Sequence, residues 1–392
     1  MEYPRGSMRF GLLLALTLGA ATAAGLAGCE SSPSPSASAG DSHAGSAGVG
    51  GAGGTGGSST SPSEYKFTCD TKQTPDEVPL RRLSKTQYLN TLRDVVELGV
   101  PGSGDLAMSS ITSALENVPD DLRKEQPSDT RGGFRELDQV VHQEHIDASF
   151  DVAQRLGTFL TRPERLGVLL GACSTDNDSS NDDACADAFI QRFGERVLRR
   201  PLESDDLAFF RGVYDAQGIN SDGLIDVITV MLTSPEFLYF VEHGDSQVSG
   251  DTYALSAFEL ASRLSYHFWQ TTPDDELFDA AKTGALLTED GYDAQVTRLS
   301  KDPRAKASIE SFFGEWLWLD DLPKMNALVG TPVFDAFAGD SKPTASLRDA
   351  MVNEVLALAI FGTSAQTAPS TTSSPLANRL LARPSCRRFT IR

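Results

Sequence analysis

Leu224-Ile225-Asp226-Val227-Ile228-Thr229-Val230-Met231-Leu232 is the stretch on which the fold class turns. Ile225, Val227, Ile228 and Val230 are β-branched and suit a buried strand, yet a short apolar run of this kind also reads as a buried helix. The flanks decide between them. Behind the run, Ser234-Pro235 is an N-cap followed by proline at the first helical position, opening a helix through Phe237, Leu238 and Val241. Ahead of it, Ser204 caps a helix whose Leu207, Phe210 and Tyr214 face inward, with Gly218 and apolar Ile219 placed to end it. With helix signals on both sides, 224–232 is expected to be helical.

The same punctuation runs outward in both directions. Ser84-Lys85-Thr86-Gln87 is a capping box, and Tyr88, Leu92, Val95 and Val96 follow at helical spacing before Gly99 and Pro101 stop the helix. Residues 139–160 lack helix breakers. Residues 185–199 carry Phe189, Ile190, Phe193 and Val197 on one face and end before Pro201. Ser256 and Glu259 form a second capping box that feeds Leu260, Ala261, Leu264 and Phe268. Thr272-Pro273, Thr288 and Asp302-Pro303 are expected to start three more helices, the last ending in the aromatic stretch 312–318. Clear alternating strands are absent, so the expected class is all-α: a multi-helical body.

The N-terminal segment has a different character. Arg5 and Arg9 precede the uncharged apolar run Phe10 to Ala27, and Leu26-Ala27-Gly28-Cys29 resembles the lipobox of bacterial lipoproteins, which implies acylation of Cys29 and removal of residues 1–28. The competing reading is an uncleaved membrane anchor; the run lies at the lower edge of spanning length and its second half is mostly Ala and Gly. Residues 30–64 are Ser, Gly, Ala and Pro with almost no large apolar side chains, so they are expected to form a disordered tether. Its ends would lie on the order of 30 Å apart. Glu30 is not the aspartate that typically retains lipoproteins at an inner membrane, and the expected address is the outer membrane, on its periplasmic or cell-surface face. Gly48-Val49-Gly50-Gly51-Ala52-Gly53 matches a dinucleotide fingerprint but stands in low-complexity glycine, without the strand and helix that make the motif work.

Of the 392 residues, roughly 330 remain for folded units once signal and tether are set aside. The expected division is a signal peptide over 1–29, a linker over 30–64, helical domains over 65–165 and 166–245, a third domain with the start of a fourth over 246–361, and an irregular tail over 362–392. A formal net charge of -20 argues against nucleic acid and anionic lipid as partners. Of five cysteines, Cys29 is assigned to lipid, and Cys173 with Cys185 brackets a polar insert in an exported chain, so these two are expected to form a disulfide. No Cys-x-x-Cys-His occurs, which excludes covalent c-type haem attachment.

Several stretches taken in order resemble a known family: Pro79-Leu80-Arg81-Arg82-Leu83-Ser84-Lys85-Thr86-Gln87-Tyr88, Arg199-Arg200-Pro201-Leu202, Ser234-Pro235-Glu236-Phe237-Leu238-Tyr239, and Glu259-Leu260-Ala261-Ser262-Arg263-Leu264-Ser265-Tyr266 with Trp269 and Pro273-Asp274-Asp275-Glu276-Leu277. They are similar to signatures of planctomycete-type domains of unknown function, the PSD set, also found in myxobacterial lipoproteins. The resemblance implies architecture and envelope location and carries no catalytic residue. Its members often accompany c-type cytochrome modules.

Candidate chemistry is sparse. His142 and His145, three apart on a helix beside Glu144 and Asp147, could reach one metal ion but lack a third ligand. Asp176, Asp178, Asn181, Asp182 and Asp183 offer oxygen ligands for calcium without the spacing of an EF-hand. Asp274, Asp275 and Glu276 read as first-turn helix charges rather than an acid/base pair. Arg81, Arg82, Arg199, Arg200 and Arg263 either tie helices through carboxylates or present a site to an acidic sugar. The expected function is therefore a non-catalytic binding or scaffolding module for a polysaccharide or a partner protein, with Trp269, Trp316 or Trp318 exposed in a groove as its mark. The alternative is an exported enzyme or redox component working with a c-type cytochrome or hydrolase.

Beyond Gly362 the helical, acidic pattern gives way to a Ser/Thr-rich run and then to Arg379, Arg383, Arg387, Arg388 and Arg392. The expected explanation is out-of-frame translation that truncates a longer family member, against a natural disordered tail.

Overall fold

In the computed structural model, which describes residues 80–123, 137–364 and 390–391, the body begins with a two-residue strand, β1 (Arg81–Arg82). Among the described residues nine α-helices follow: α1 (Lys85–Gly99), α2 (Gly104–Ser110), α3 (Thr112–Leu115), α4 (Gln143–Leu160), α5 (Pro163–Leu170), α6 (Asp182–Leu198), α7 (Ser204–Tyr214), α8 (Ser221–Leu232) and α9 (Pro235–Leu238). The chain then returns as β2 (Tyr239–Phe240), antiparallel to β1, with Arg81 opposite Phe240 and Arg82 opposite Tyr239. The predicted capping box at Ser84 closes: the Gln87 N–H donates to Ser84 Oγ (3.2 Å) and the Ser84 N–H to Gln87 Oε1 (3.0 Å).

The decisive stretch is helical. In α8, Leu224, Val227, Ile228, Met231 and Leu232 are buried, while Asp226 faces water. Asn220 caps it by accepting the Gly223 N–H (2.9 Å), and the Thr229 hydroxyl, otherwise a liability in a core, donates to the Ile225 carbonyl (2.7 Å). Helix α4 lies directly on α8: a Cβ at Gly157 would stand 3.3 Å from the Ile225 backbone, so the small residue lets the two helices approach closely. Burial on this face, rather than β propensity, decides the conformation.

Helices α7 and α9 differ from expectation at their ends. Helix α7 starts at Ser204, one residue beyond its cap position at Glu203, and it stops at Tyr214 with Asp215 left-handed (φ 34°), short of Gly218. The Tyr214 hydroxyl explains the early stop, since it donates to the Gly218 carbonyl (2.5 Å), accepts the Asn220 N–H (2.8 Å) and so holds the 215–220 loop. Helix α9 is a single turn, because Tyr239 leaves it to join β2.

Residues from Leu83 to Phe237 share one continuous hydrophobic core, so the helices of 65–165 and of 166–245 pack on one another rather than around separate centres. After a hairpin of β3 (Gln247–Ser249) and β4 (Thr252–Ala254), a second and smaller core forms among α10 (Ala257–Trp269), α11 (Asp275–Lys282) and α12 (Glu289–Lys301). Helix α11 is capped by Asp274, which accepts the Leu277 N–H (3.0 Å), instead of by Thr272, which is buried. Asp274 therefore serves as the helix cap that first-turn charges suggest. Beyond it, α13 (Arg304–Trp316), α14 (Pro332–Ala338) and α15 (Leu347–Ser364) form an outer layer in which Ala305 and Leu319 are the buried side chains. Thr390–Ile391, β5, pairs antiparallel with β4.

The signal segment, Cys29, the tether, Cys69, Cys386 and all of the tail after Ser364 except β5 lie outside the described residues. Among the described residues no helix is long and apolar enough to cross a membrane.

The predicted disulfide is present. Cys173 and Cys185 are bonded with their Cα atoms 5.8 Å apart, closing the polar insert over α6, and Cys185 is part of the first core. A short loop of this kind constrains the unfolded chain, so the double variant Cys173→Ala/Cys185→Ala is expected to lose roughly 2–3 kcal/mol, read as a lower urea midpoint. An unchanged midpoint would show that the bond holds the loop without supporting the core.

A groove at the seam of the two cores

The site is built around a buried arginine. Arg199 ends α6 in a left-handed conformation (φ 58°) and is 6% exposed. Its Nη1 donates to the Phe237 carbonyl (3.3 Å) and to Tyr266 Oη (3.4 Å); its Nη2 donates to the Tyr239 carbonyl (2.8 Å) and to that of Glu236. One guanidinium thus takes up the carbonyls at the end of α9, which explains why that helix can end after one turn. Thr91 spends its only proton on the Gln87 carbonyl (2.7 Å), so the Tyr266 hydroxyl donates to Thr91 Oγ1 (2.9 Å) while accepting from Arg199. The relay ties α6, α9, α10 and α1 together across the seam.

The other signature arginines are also committed. Arg200 grips Asp206 with two bonds (2.6 and 3.1 Å) and reaches Glu236 (3.1 Å). That guanidinium, with the Glu203 N–H, holds the Asp206 carboxyl below the usual carboxylate range against the opposing effect of burial. Arg263 grips Glu242 with two bonds (2.6 and 2.7 Å), Arg82 pairs with Asp121 (3.0 Å), and Arg81 stands over the Phe240 ring, 5.5 Å from its centre. Of the two readings open to these residues, the ties between elements are what the geometry contains.

Where the signatures converge, a small groove of about 90 Å³ opens between the end of α6, β2 and the start of α10. Arg200, Glu236, Phe240, His243, Phe258 and Ser262 are among the residues that line it. At its edge, Glu259 Oε1 accepts the N–H groups of His243 (2.6 Å) and Gly244 (3.0 Å), and Oε2 accepts that of Ser256 (2.7 Å). Both groove carboxylates are therefore spent, Glu236 on a guanidinium and Glu259 on three amides. What remains is two aromatic flanks, a hydroxyl, an imidazole and polar edges. No residue contact in sequence announces this meeting, although Arg200, Glu236, Glu259 and Ser262 lie inside signatures.

The other candidates lie elsewhere. His142 and His145 sit at the N-terminus of α4, where His145 Nδ1 accepts the His142 N–H (3.2 Å) and is no longer free as a ligand. Burial, aided by Arg82 and His142, lowers the His145 pKa and keeps that ring neutral. Asp176 accepts from Asn181 (2.8 Å) and from the Asp178 N–H (2.9 Å), and Asp178 accepts both groups of Ser180, so these carboxylates close local turns; Asp182 begins α6. Among the described residues no group of three or more His, Cys, Asp or Glu side chains could hold a metal ion. None of the three tryptophans lines the groove: Trp269 is 3% exposed, and Trp316 packs on Phe312 and Phe313.

Residues 185–242 match the family model PSD5, described as a protein of unknown function (DUF1595), and residues 255–369 match PSD4, likewise described as a protein of unknown function (DUF1592). The signatures at 199–202, 234–239 and 259–277 fall inside these two matches, and the stretch at 79–88 lies outside them. The two segments meet at the groove, with the β3–β4 hairpin between them. No curated protein and no solved structure matches the chain.

Proposed function

We propose that the chain is a lipid-anchored, non-catalytic binding module of the outer membrane, facing the periplasm or the cell surface, whose seam groove takes a segment of envelope polysaccharide. The observation that carries this reading is the state of the groove: Glu236 is bound to the Arg200 guanidinium and Glu259 to three backbone amides, so it offers aromatic faces and hydrogen bonds but no uncommitted carboxylate to act as a base. A neutral, hydroxyl-rich ligand suits such a surface, because aromatic rings cover sugar C–H faces while polar edges replace water. The anchor rests on Leu26-Ala27-Gly28-Cys29 closing an apolar signal segment, and the Ser/Gly tether supports it by giving a folded body reach above the headgroups.

The test uses the full chain in a diderm host. Wild type is expected in the membrane fraction, with Cys29→Ser unprocessed or released. The released protein is expected to be retained on immobilised envelope polysaccharide, and Ser262→Phe, which fills the groove, to pass through. Membrane association unchanged in Cys29→Ser removes the anchor, and failure of the folded protein to be retained removes the ligand.

A further inference from the structure

Helix α15 is apolar on two sides. It packs on α13 with Val352, Val355 and Leu356 half-buried, while on another face Leu347, Met351, Leu358 and Phe361 stand exposed, the last two by 66% and 72%. Together with Glu354, these four follow one another at intervals of four, three, four and three residues, which is the spacing of a and d positions through two heptads. Ala350 and Ala357, both exposed, run along one edge of the stripe and leave room for a second helix to come close.

The fold has no use of its own for such a stripe. A helix at a protein surface needs one apolar face for its core and a polar face for water, whereas a helix that is apolar all round belongs in an interior. Contiguous apolar side chains left in water mark a surface that another molecule covers. The heptad spacing specifies the covering element as a helix, because a and d side chains seat between the residues of a facing helix. Glu354 then specifies its charge. It lies at the midpoint of the stripe, is exposed, and among the described residues makes no side-chain hydrogen bond or ion pair. A second copy of the chain laid along the stripe in register would set Glu354 against Glu354 and bring together two bodies of net charge -20. A lysine or arginine at the facing position instead turns the same carboxylate into an attraction that fixes register.

We propose that the outer face of α15 docks an amphipathic helix of a separate protein, whose apolar a and d residues lie on Leu347, Met351, Leu358 and Phe361 and whose lysine or arginine meets Glu354. This surface is distinct from the seam groove, and the polysaccharide reading of that groove neither supports nor limits it.

The probe is a fluorescein-labelled synthetic helix of about three heptads, with leucine at a and d, lysine at the central a position, and lysine and glutamine elsewhere. It is titrated with the folded full chain and followed by anisotropy, beside a scrambled peptide of the same composition and a twin with glutamate at the central position. Saturable binding of the lysine peptide is expected, with the scrambled peptide and the glutamate twin each at least about tenfold weaker. Leu358→Gln and Phe361→Gln, at exposed positions and with the circular dichroism of wild type, are each expected to weaken binding by about tenfold. Glu354→Lys is expected to reverse the preference, so that the glutamate twin binds more tightly than the lysine peptide. The proposal is overturned if no peptide binds saturably, if the scrambled peptide binds as well as the ordered one, or if Glu354→Lys leaves the preference unchanged. It also fails, in favour of another occupant, on either of two results. Sedimentation that finds the wild type dimeric and Phe361→Gln monomeric would give the face to a second copy, and peptide binding seen only after removal of residues 365–392 would give it to that segment.

Discussion

Replacing Arg199 with methionine is expected to lower the free energy of unfolding by about 3–5 kcal/mol, a large part of the stability of an ordinary domain. The substitution keeps most of the buried aliphatic stem but removes every donor from the seam. The carbonyls of Glu236, Phe237 and Tyr239 lose their side-chain partner in an enclosed place, and each unsatisfied group costs about 1–3 kcal/mol. Tyr266 Oη loses a donor as well. Arg199→Lys is expected to recover only part of the loss, since one ammonium cannot reproduce a planar fork. Urea titration followed by far-UV circular dichroism reads both. A loss below about 1 kcal/mol for the methionine variant would mean that water replaces the guanidinium and that the relay to Thr91 is incidental.

The second large effect belongs to Trp269→Ala, expected to cost about 3–5 kcal/mol, the usual range for deleting a buried large aromatic. Trp269 closes the smaller core: its Nε1 donates to the Leu299 carbonyl (3.0 Å), and Arg304 and Arg298 lie over the ring at 3.4 and 5.3 Å from its centre. Arg298 in turn holds Asp274 with two bonds (2.7 and 2.9 Å), and Asp274 caps α11. Removing the ring therefore unseats a guanidinium pair and the helix cap behind it. Trp269→Phe, which fills most of the space but lacks the N–H, is expected to cost about 1–2 kcal/mol, so the two variants separate packing from hydrogen bonding. If alanine and phenylalanine cost the same, packing of the indole does not hold this core.

Much of the helical order was legible because it is written in local chemistry. Ser84, Ser234, Ser256 and Thr288 cap their helices as their neighbours in sequence suggest, and the β-branched run 224–232 was readable as a helix from its flanks. The C-terminal ends of α7 and α9 were misjudged for one cause: each is set by a partner distant in sequence or across a turn. Tyr214 reaches over its loop to end α7 early, and Arg199 takes the carbonyls of α9 so that Tyr239 can turn into a strand. The groove was illegible for the same reason. Its lining comes from segments near 200, 240 and 260, each interpretable alone, and only packing reveals that its carboxylates are committed, Glu236 to Arg200 and Glu259 to backbone amides. Trp269 shows the limit of composition. An aromatic in a signature reads equally as a ligand platform or a core plug, and the two arginines that cover it follow 29 and 35 positions later.

The outer layer of α13–α15 changes what an optical experiment on this protein would see. Val333, Phe337, Leu358 and Phe361 stand in water there, and the layer rests on few buried side chains, so its amides should exchange through local openings far cheaper than global unfolding. All three tryptophans lie at positions 269, 316 and 318, in the smaller core or in this layer. Tryptophan fluorescence would therefore report the smaller core and the periphery while the principal core, from Leu83 to Phe237, contributes no tryptophan signal, and a single melting temperature taken from it would leave that core unread.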